Sequence, residues 1–301
     1  MPAPPRPRRS VLYMPGSNPR ALEKARGLAA DGLIFDLEDA VAPDAKVAAR
    51  HGVAQALAAG GYGGRELFLR VNALTTEWGR ADLIAAARMP IDAVLLPKVE
   101  CAESVLQAEA WLGEARAPED LSIWCMMETP RGILRAAEIA SASQRVGGLV
   151  MGTSDLAKDL QARHTRERLP LLTSLGLCLL AARAHGVAIL DGVHLDLADD
   201  EGFLEVCRQG RDLGFDGKTL IHPKTIATAN AVFAPSAEEV AWSRRVIAAH
   251  GEAAEAGKGV VLVDGKLIEN LHVESAHRLV ALADAIAALE HVTPEGAPVV
   301  T

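Results

Sequence analysis

Several familiar signatures are missing from this 301-residue chain, and each absence narrows the field. Aromatic residues make up only 4% of it, so Ala, Leu, Val and Ile must carry the burial, as in helices packed on parallel strands. Its four cysteines, Cys101, Cys125, Cys178 and Cys207, form no CxxC pair and no Cys/His ligand cluster, which points to reduced, mostly buried thiols. Basic charge is not in excess: the net charge is -8, which argues against a general polyanion binder and against nucleic acid as a partner. No apolar run approaches a membrane span, and the basic, proline-rich start MPAPPRPRRS is followed by no hydrophobic signal core. A cytoplasmic enzyme is the simplest expectation, with residues 1–9 as a loose arm. Dinucleotide and P-loop glycine motifs are absent, as is HExxH.

What is present is alternation. Eight short β-rich runs fall at about 10–14, 32–37, 66–71, 92–97, 122–127, 147–152, 187–192 and 216–221, with Ala/Leu-rich helical stretches between most of them. Eight alternations in about 220 residues predict a (β/α)8 TIM barrel over 10–235 rather than an open doubly wound sheet. Beyond it, 236–301 reads as a helix, a hairpin turning at Asp264-Gly265 and a terminal helix, a small lid with too little core to stand alone.

Barrel active sites lie at the C-terminal strand ends, and there this sequence turns polar: Tyr13; Asp36, Glu38 and Asp39; Arg70 and Asn72; Lys98; Glu128; Asp155; Asp191; His222. Glu128 and Asp155 sit one strand-plus-helix unit apart, so two carboxylates converge in a way that suits Mg2+, or Mn2+ in its place. Thr129 and Pro130 supply a helix cap and first turn after Glu128, while Asp155 falls just before another helix. Arg70 emerges near the barrel mouth, able to fork onto a carboxylate or stabilise an oxyanion, with Glu38 or Asp39 as orienting acids. Lys98 raises Schiff-base chemistry, against which the two-carboxylate site weighs. His222 before Pro223 reads as a loop-ordering residue, and Arg20, Lys24 and Arg26 place three cations on the first helix.

Seven motifs in order, RSVLYMPGSNPRALEKA, GLIFDLEDAV, LRVN, LLPKVE, METPRG, MGTSDLAKDL and LIHPKTI, resemble the citrate lyase beta-subunit-like CoA-ester lyases of the HpcH/HpaI aldolase and citrate lyase superfamily. That resemblance implies a Mg2+ barrel, assembled as trimers or hexamers, that reversibly cleaves a 3-hydroxyacyl-CoA such as malyl-, methylmalyl-, citramalyl- or citryl-CoA. It implies metal on Glu128 and Asp155, substrate contact from Arg70 and Glu128, and Tyr13 and Lys24 toward CoA. It further implies a lid that completes a neighbouring subunit's site with an acid. Family members commonly carry Ile-Asp there where this chain has Ile268-Glu269, so Glu269 is the candidate base and Asp264 the second. A malyl-CoA-type thioesterase is the alternative reaction; a short-aldehyde pyruvate aldolase and a non-catalytic acyl-CoA-binding or complex-forming subunit rank below it.

Overall fold

The computed structural model describes residues 5–255 and 260–292. Eight parallel strands close into a barrel in sequence order: β1 (Ser10–Pro15), β2 (Gly32–Asp36), β3 (Glu66–Arg70), β4 (Ala93–Leu96), β5 (Ser122–Met127), β6 (Val146–Met151), β7 (Ala188–Asp191) and β8 (Gly217–Leu220). β8 returns to pair with β1, Val11 opposite Thr219. The predicted barrel is therefore the observed one, and every strand lies within two residues of its expected span.

Strand parity organises the interior. One set of alternate residues, Val11, Ile34, Phe68, Leu95, Trp124, Met126, Val150 and Leu190, fills the barrel, while Leu12, Leu33, Leu69, Cys125, Leu149 and Ile189 face the helices. β6 makes room for its neighbour: a Cβ on Gly148 would stand 2.5 Å from the Trp124 ring, so the largest interior side chain requires glycine beside it. Phe68 meets that indole edge-on, 5.0 Å between centroids.

The segment expected as a loose arm is anchored at its end. Arg9 is 5% exposed and forks onto Asp31 at 2.9 Å, and Arg8 reaches Glu66 while lying 5.0 Å over the Trp124 ring. These two arginines are held because buried acids at the start of β2 and β3 need partners; residues 1–4 lie outside the described part.

Two further features are local. The helix capped by Thr129 breaks at Arg135 into Pro130–Leu134 and Ala136–Ala140. A short helix, Ile226–Phe233, follows β8.

The chain forms two compact units, the barrel from Arg8 to Phe233 and a C-terminal unit that starts at Ala234. The latter holds the helix Ala237–Glu255, the hairpin β9 (Val261–Val263) and β10 (Lys266–Ile268), and the helix Asn270–Val292. Asp264 and Gly265 both take positive φ, 48° and 78°, as a primed hairpin turn demands. This unit does gather a small core of its own, with Val246, Val263, Ile268, Val273 and Ala276 buried together. No helix among the described residues is long and apolar enough to cross a membrane.

Candidate active site

Parity also selects which strand-end residues face inward. Asp36 continues the inward series from Ile34, Arg70 from Phe68, Tyr13 from Val11 and Glu128 from Met126. Register then brings them into contact, since Asp36 and Arg70 are direct neighbours across β2 and β3. Arg70 forks onto Asp36 with two bonds of 2.7 Å, and its remaining nitrogen lies 3.0 Å from Glu38 and 3.6 Å from Asp39. Its guanidinium also stacks 4.9 Å from the Tyr13 ring centroid, and the Tyr13 hydroxyl meets the Met126 sulfur at 3.3 Å. The main orienting acid is thus Asp36, closer than the Glu38 and Asp39 picked from sequence. It is the strand residue, and it has two oxygens aligned with the fork.

Glu128 is 2% exposed and follows β5. One carboxylate oxygen accepts from the Lys98 backbone N–H at 2.7 Å, and no donor among the described residues takes the other. Burial pushes this carboxyl up to about 7, against the pull of the Lys98 amide and charge. Space for it comes from Gly152, where a Cβ would sit 2.5 Å from the carboxylate. Thr129 caps the next helix by accepting from Gly132 N–H at 3.1 Å, as its sequence position predicts. Asp155 lies in the first turn of the helix Thr153–Asp159 rather than before it.

Lys98 ties these acids together. Its backbone takes a positive φ of 49°, which turns the amide toward Glu128 and sends the ammonium to Glu38 at 2.6 Å and to within 3.7 Å of Asp155. Against the cost of burial, the Glu38 contact raises this ammonium above its ordinary value, which keeps it charged and unsuited to Schiff-base chemistry. Burial, opposed by Arg70 and Lys98, in turn raises the Glu38 carboxyl.

Tyr13, Asp36, Asp39, Arg70, Glu128 and Asp155 line one pocket of about 440 Å3. Lys24 lies exposed on the helix Pro19–Ala25 and does not line it. Glu269 and Asp264 belong to the C-terminal unit, both exposed, Asp264 paired with Arg245 at 2.9 Å. His222 orders its loop by accepting from Lys224 N–H at 3.2 Å. The left-handed backbone of Lys98 leaves no signal in composition, so its part in this cluster is not legible from the sequence.

A hard divalent cation fits this donor set. A nearly sealed carboxylate with one oxygen unpaired among the described residues, whose ionised form burial disfavours, is relieved by a cation beside it, and Asp155 opens into the same pocket. No group of three or more His, Cys, Asp or Glu side chains placed to hold a metal occurs among the described residues. The protein would therefore give two carboxylates and leave the other positions to water and substrate, as Mg2+ favours.

A closed parallel barrel with buried acids and a clamped arginine at its C-terminal mouth defines a (β/α)8-barrel enzyme class. The chain belongs to the HpcH/HpaI aldolase/citrate lyase family, whose pattern matches residues 9–223. It is 56% identical over 282 residues to a (3S)-malyl-CoA thioesterase of Cereibacter sphaeroides strain KD131, covering 94% of this chain and 96% of that protein. It is 38% identical to the citrate lyase beta subunit of Escherichia coli K12, covering 93% and 94%. Among solved structures it superposes on CitE of Mycobacterium tuberculosis in complex with magnesium, acetoacetate and coenzyme A. The TM-score there is 0.72 and the identity 31%, over 91% of this chain and 97% of that one.

Proposed function

We propose that the protein is a Mg2+-dependent enzyme of 3-hydroxyacyl-CoA thioesters of the malyl-CoA type, with hydrolysis of the thioester as its reaction. The observation that carries the substrate class is the meeting of Glu128, Asp155 and Arg70 in one pocket. Similarity at 56% to a malyl-CoA thioesterase puts hydrolysis ahead of the carbon–carbon cleavage expected first from the sequence motifs.

Glu128 and Asp155 would hold the cation, which when bound supplies Lewis-acid charge and a template for the hydroxy-acid end of the substrate. Arg70, fixed by Asp36 and stacked on Tyr13, is preorganised to receive negative charge that develops on the thioester oxygen. The two bonds to Asp36 fix its orientation before substrate arrives. Glu269 of the C-terminal unit is the candidate base, with Asp264 second and tied to Arg245. The base takes a proton from water, the water oxygen bonds to the thioester carbon, the C–S bond breaks and the CoA sulfur leaves as a thiol after taking the proton. Tyr13 borders the pocket where the thioester would enter, and Lys24 would meet CoA phosphate on the outer surface.

Carbon–carbon cleavage remains the second reading, favoured by the likeness to citrate lyase beta subunits. There the base takes the substrate hydroxyl proton, the C–C bond breaks, and Arg70 holds the charge of the acetyl-CoA enolate until it is protonated. Incubation with malyl-CoA and Mg2+ separates the two: free CoA plus malate identifies the hydrolase. Acetyl-CoA plus glyoxylate without free CoA overturns hydrolysis in favour of the lyase. No turnover of any malyl-, methylmalyl-, citramalyl- or citryl-CoA refutes both. A homotrimer or hexamer, in which Glu269 serves a neighbouring subunit, is part of this proposal and is checked by light scattering together with mixed Glu269→Gln and Glu128→Gln oligomers.

A further inference from the structure

A second cavity, of about 390 Å3, is lined by the connections that flank β7 and by Lys218 of β8. It shares Thr153, Val193 and Leu195 with the candidate active pocket, yet the reaction above uses none of its charged groups. Parity explains its chemistry. Leu190 faces the barrel interior, so Asp191 points outward, where it meets two cations. Arg168 donates to both Asp191 oxygens at 2.7 and 2.8 Å, and Lys218 donates at 2.9 Å. All three residues are buried, at 9%, 1% and 0% exposure for Arg168, Lys218 and Asp191.

One buried carboxylate shared by two buried cations leaves a donor without an acceptor. Arg168 uses Nη1 on Asp191 and Nε on Gln209 at 2.7 Å, while its Nη2 is buried with no partner among the described residues. The His194 Nε2 is buried and without a partner among the described residues in the same cavity, on an imidazole whose proton affinity burial and Lys218 lower against the pull of Asp199 and Asp196. Lys218 itself is pulled below its ordinary value by burial and by Arg168, against the attraction of Asp191. Two acids share the lining and act on His194. Asp196 and Asp199 each accept from their own loop, from Ala198 N–H and Gly202 N–H at 2.9 Å, and Arg166 is drawn off to Glu201 and Glu205.

A guanidinium N–H left unpaired beside a cavity is costly, and its fork geometry matches an oxoanion. We propose that this cavity is a second binding site, for a carboxylate or phosphate group held by Arg168 Nη2 and His194 Nε2. The proposal does not rest on the reaction assigned to the neighbouring pocket. The anion is either a free small molecule or a remote carboxylate of one that also occupies that pocket, since the two share a wall.

The test is calorimetric titration of the full chain with inorganic phosphate and, separately, with citrate, for the wild type, Arg168→Lys and Arg70→Lys. Thermal unfolding checks each fold. The lysine keeps one charge on Asp191 but removes the free Nη2, so phosphate affinity is expected to fall at least about tenfold. A loss confined to Arg168→Lys marks a free anion; citrate weakened by both variants marks one molecule spanning both pockets. Unchanged binding in Arg168→Lys, or binding lost only in Arg70→Lys, overturns the proposal. Should Arg168→Lys fail to fold, a wild-type crystal soaked in selenate decides: an anomalous peak within hydrogen-bond reach of Arg168 Nη2 supports the site, and selenate only elsewhere contradicts it.

Discussion

Two buried ionic clusters sit at strand ends of the same barrel, and they differ by one residue of strand parity. Around β2, β3 and β5 the acids face inward: Asp36 clamps Arg70, Lys98 holds Glu38, and Glu128 keeps one oxygen without a donor among the described residues. At β7 and β8 the single acid, Asp191, faces outward and is saturated by Arg168, Lys218 and the Gly192 N–H at 2.8 Å. Among the described residues the first cluster leaves an acceptor, on Glu128, without a donor, and the second leaves a donor, Arg168 Nη2, without an acceptor. A strand-end carboxylate therefore has no fixed meaning. One poised for a cation and one neutralised by its own fold read alike in the sequence, and the face of the strand separates them.

The sharpest break of that comparison is to remove one acid from each side. Glu128→Gln or Asp155→Asn should lower turnover roughly 10^3-fold with the fold intact, because each deletes half of the protein's grip on the cation. Asp191→Asn should do the reverse. It strands two buried cations, so unfolding free energy drops by about 3–5 kcal/mol, measured by denaturant titration, while Mg2+ affinity of the remaining folded protein is kept. Equal effects of the two substitutions on Mg2+ binding would erase the distinction.

A smaller effect separates the charge states. The Glu128 carboxyl stands at about 7 when folded against an ordinary 4.5, so the folded state binds the proton more tightly than the unfolded chain. Metal-free stability then falls as pH rises from about 4.5 through 7, by about 3 kcal/mol at most, and Glu128→Gln should flatten that slope. Mg2+, which needs the ionised form, should bind more tightly as pH rises through the same window. Arg70→Lys, which loses the bidentate fork, should cost about 10^2-fold in kcat/KM for the acyl-CoA substrate. Least disruptive is Gly152→Ala, whose Cβ displaces the Glu128 carboxylate: about 1–3 kcal/mol of stability and weaker Mg2+ binding, by thermal melts with and without metal.

Much of the fold was legible because eight β-rich runs alternate with helices, and Asp264-Gly265 announced its hairpin. The convergence of Glu128, Asp155 and Arg70 on one pocket followed from placing all three after strands. What escaped depends on geometry that composition does not encode. Asp191 looked like another mouth residue because the phase of the short strand β7 is set by Leu190, one position earlier. Lys98 looked like an isolated lysine because its positive φ, which aims the backbone at Glu128, belongs to a non-glycine residue. Gly148 and Gly152 carried a signal that could have been used: a glycine within β6 and one just after it mark where the Trp124 ring and the Glu128 carboxylate need room. The arm at residues 8–9 was misjudged because proline-rich composition says nothing of Asp31 and Glu66, the buried acids that hold Arg9 and Arg8 at the far end of β2 and β3.

One titration decides whether Glu128 and Asp155 hold the cation: Mn2+ standing in for Mg2+, followed by electron paramagnetic resonance, against the wild type, Glu128→Gln, Asp155→Asn and Asp191→Asn. The expected result is one bound ion per chain in the wild type and in Asp191→Asn, with affinity lost in the other two. The same stoichiometry and affinity in all four proteins would contradict it.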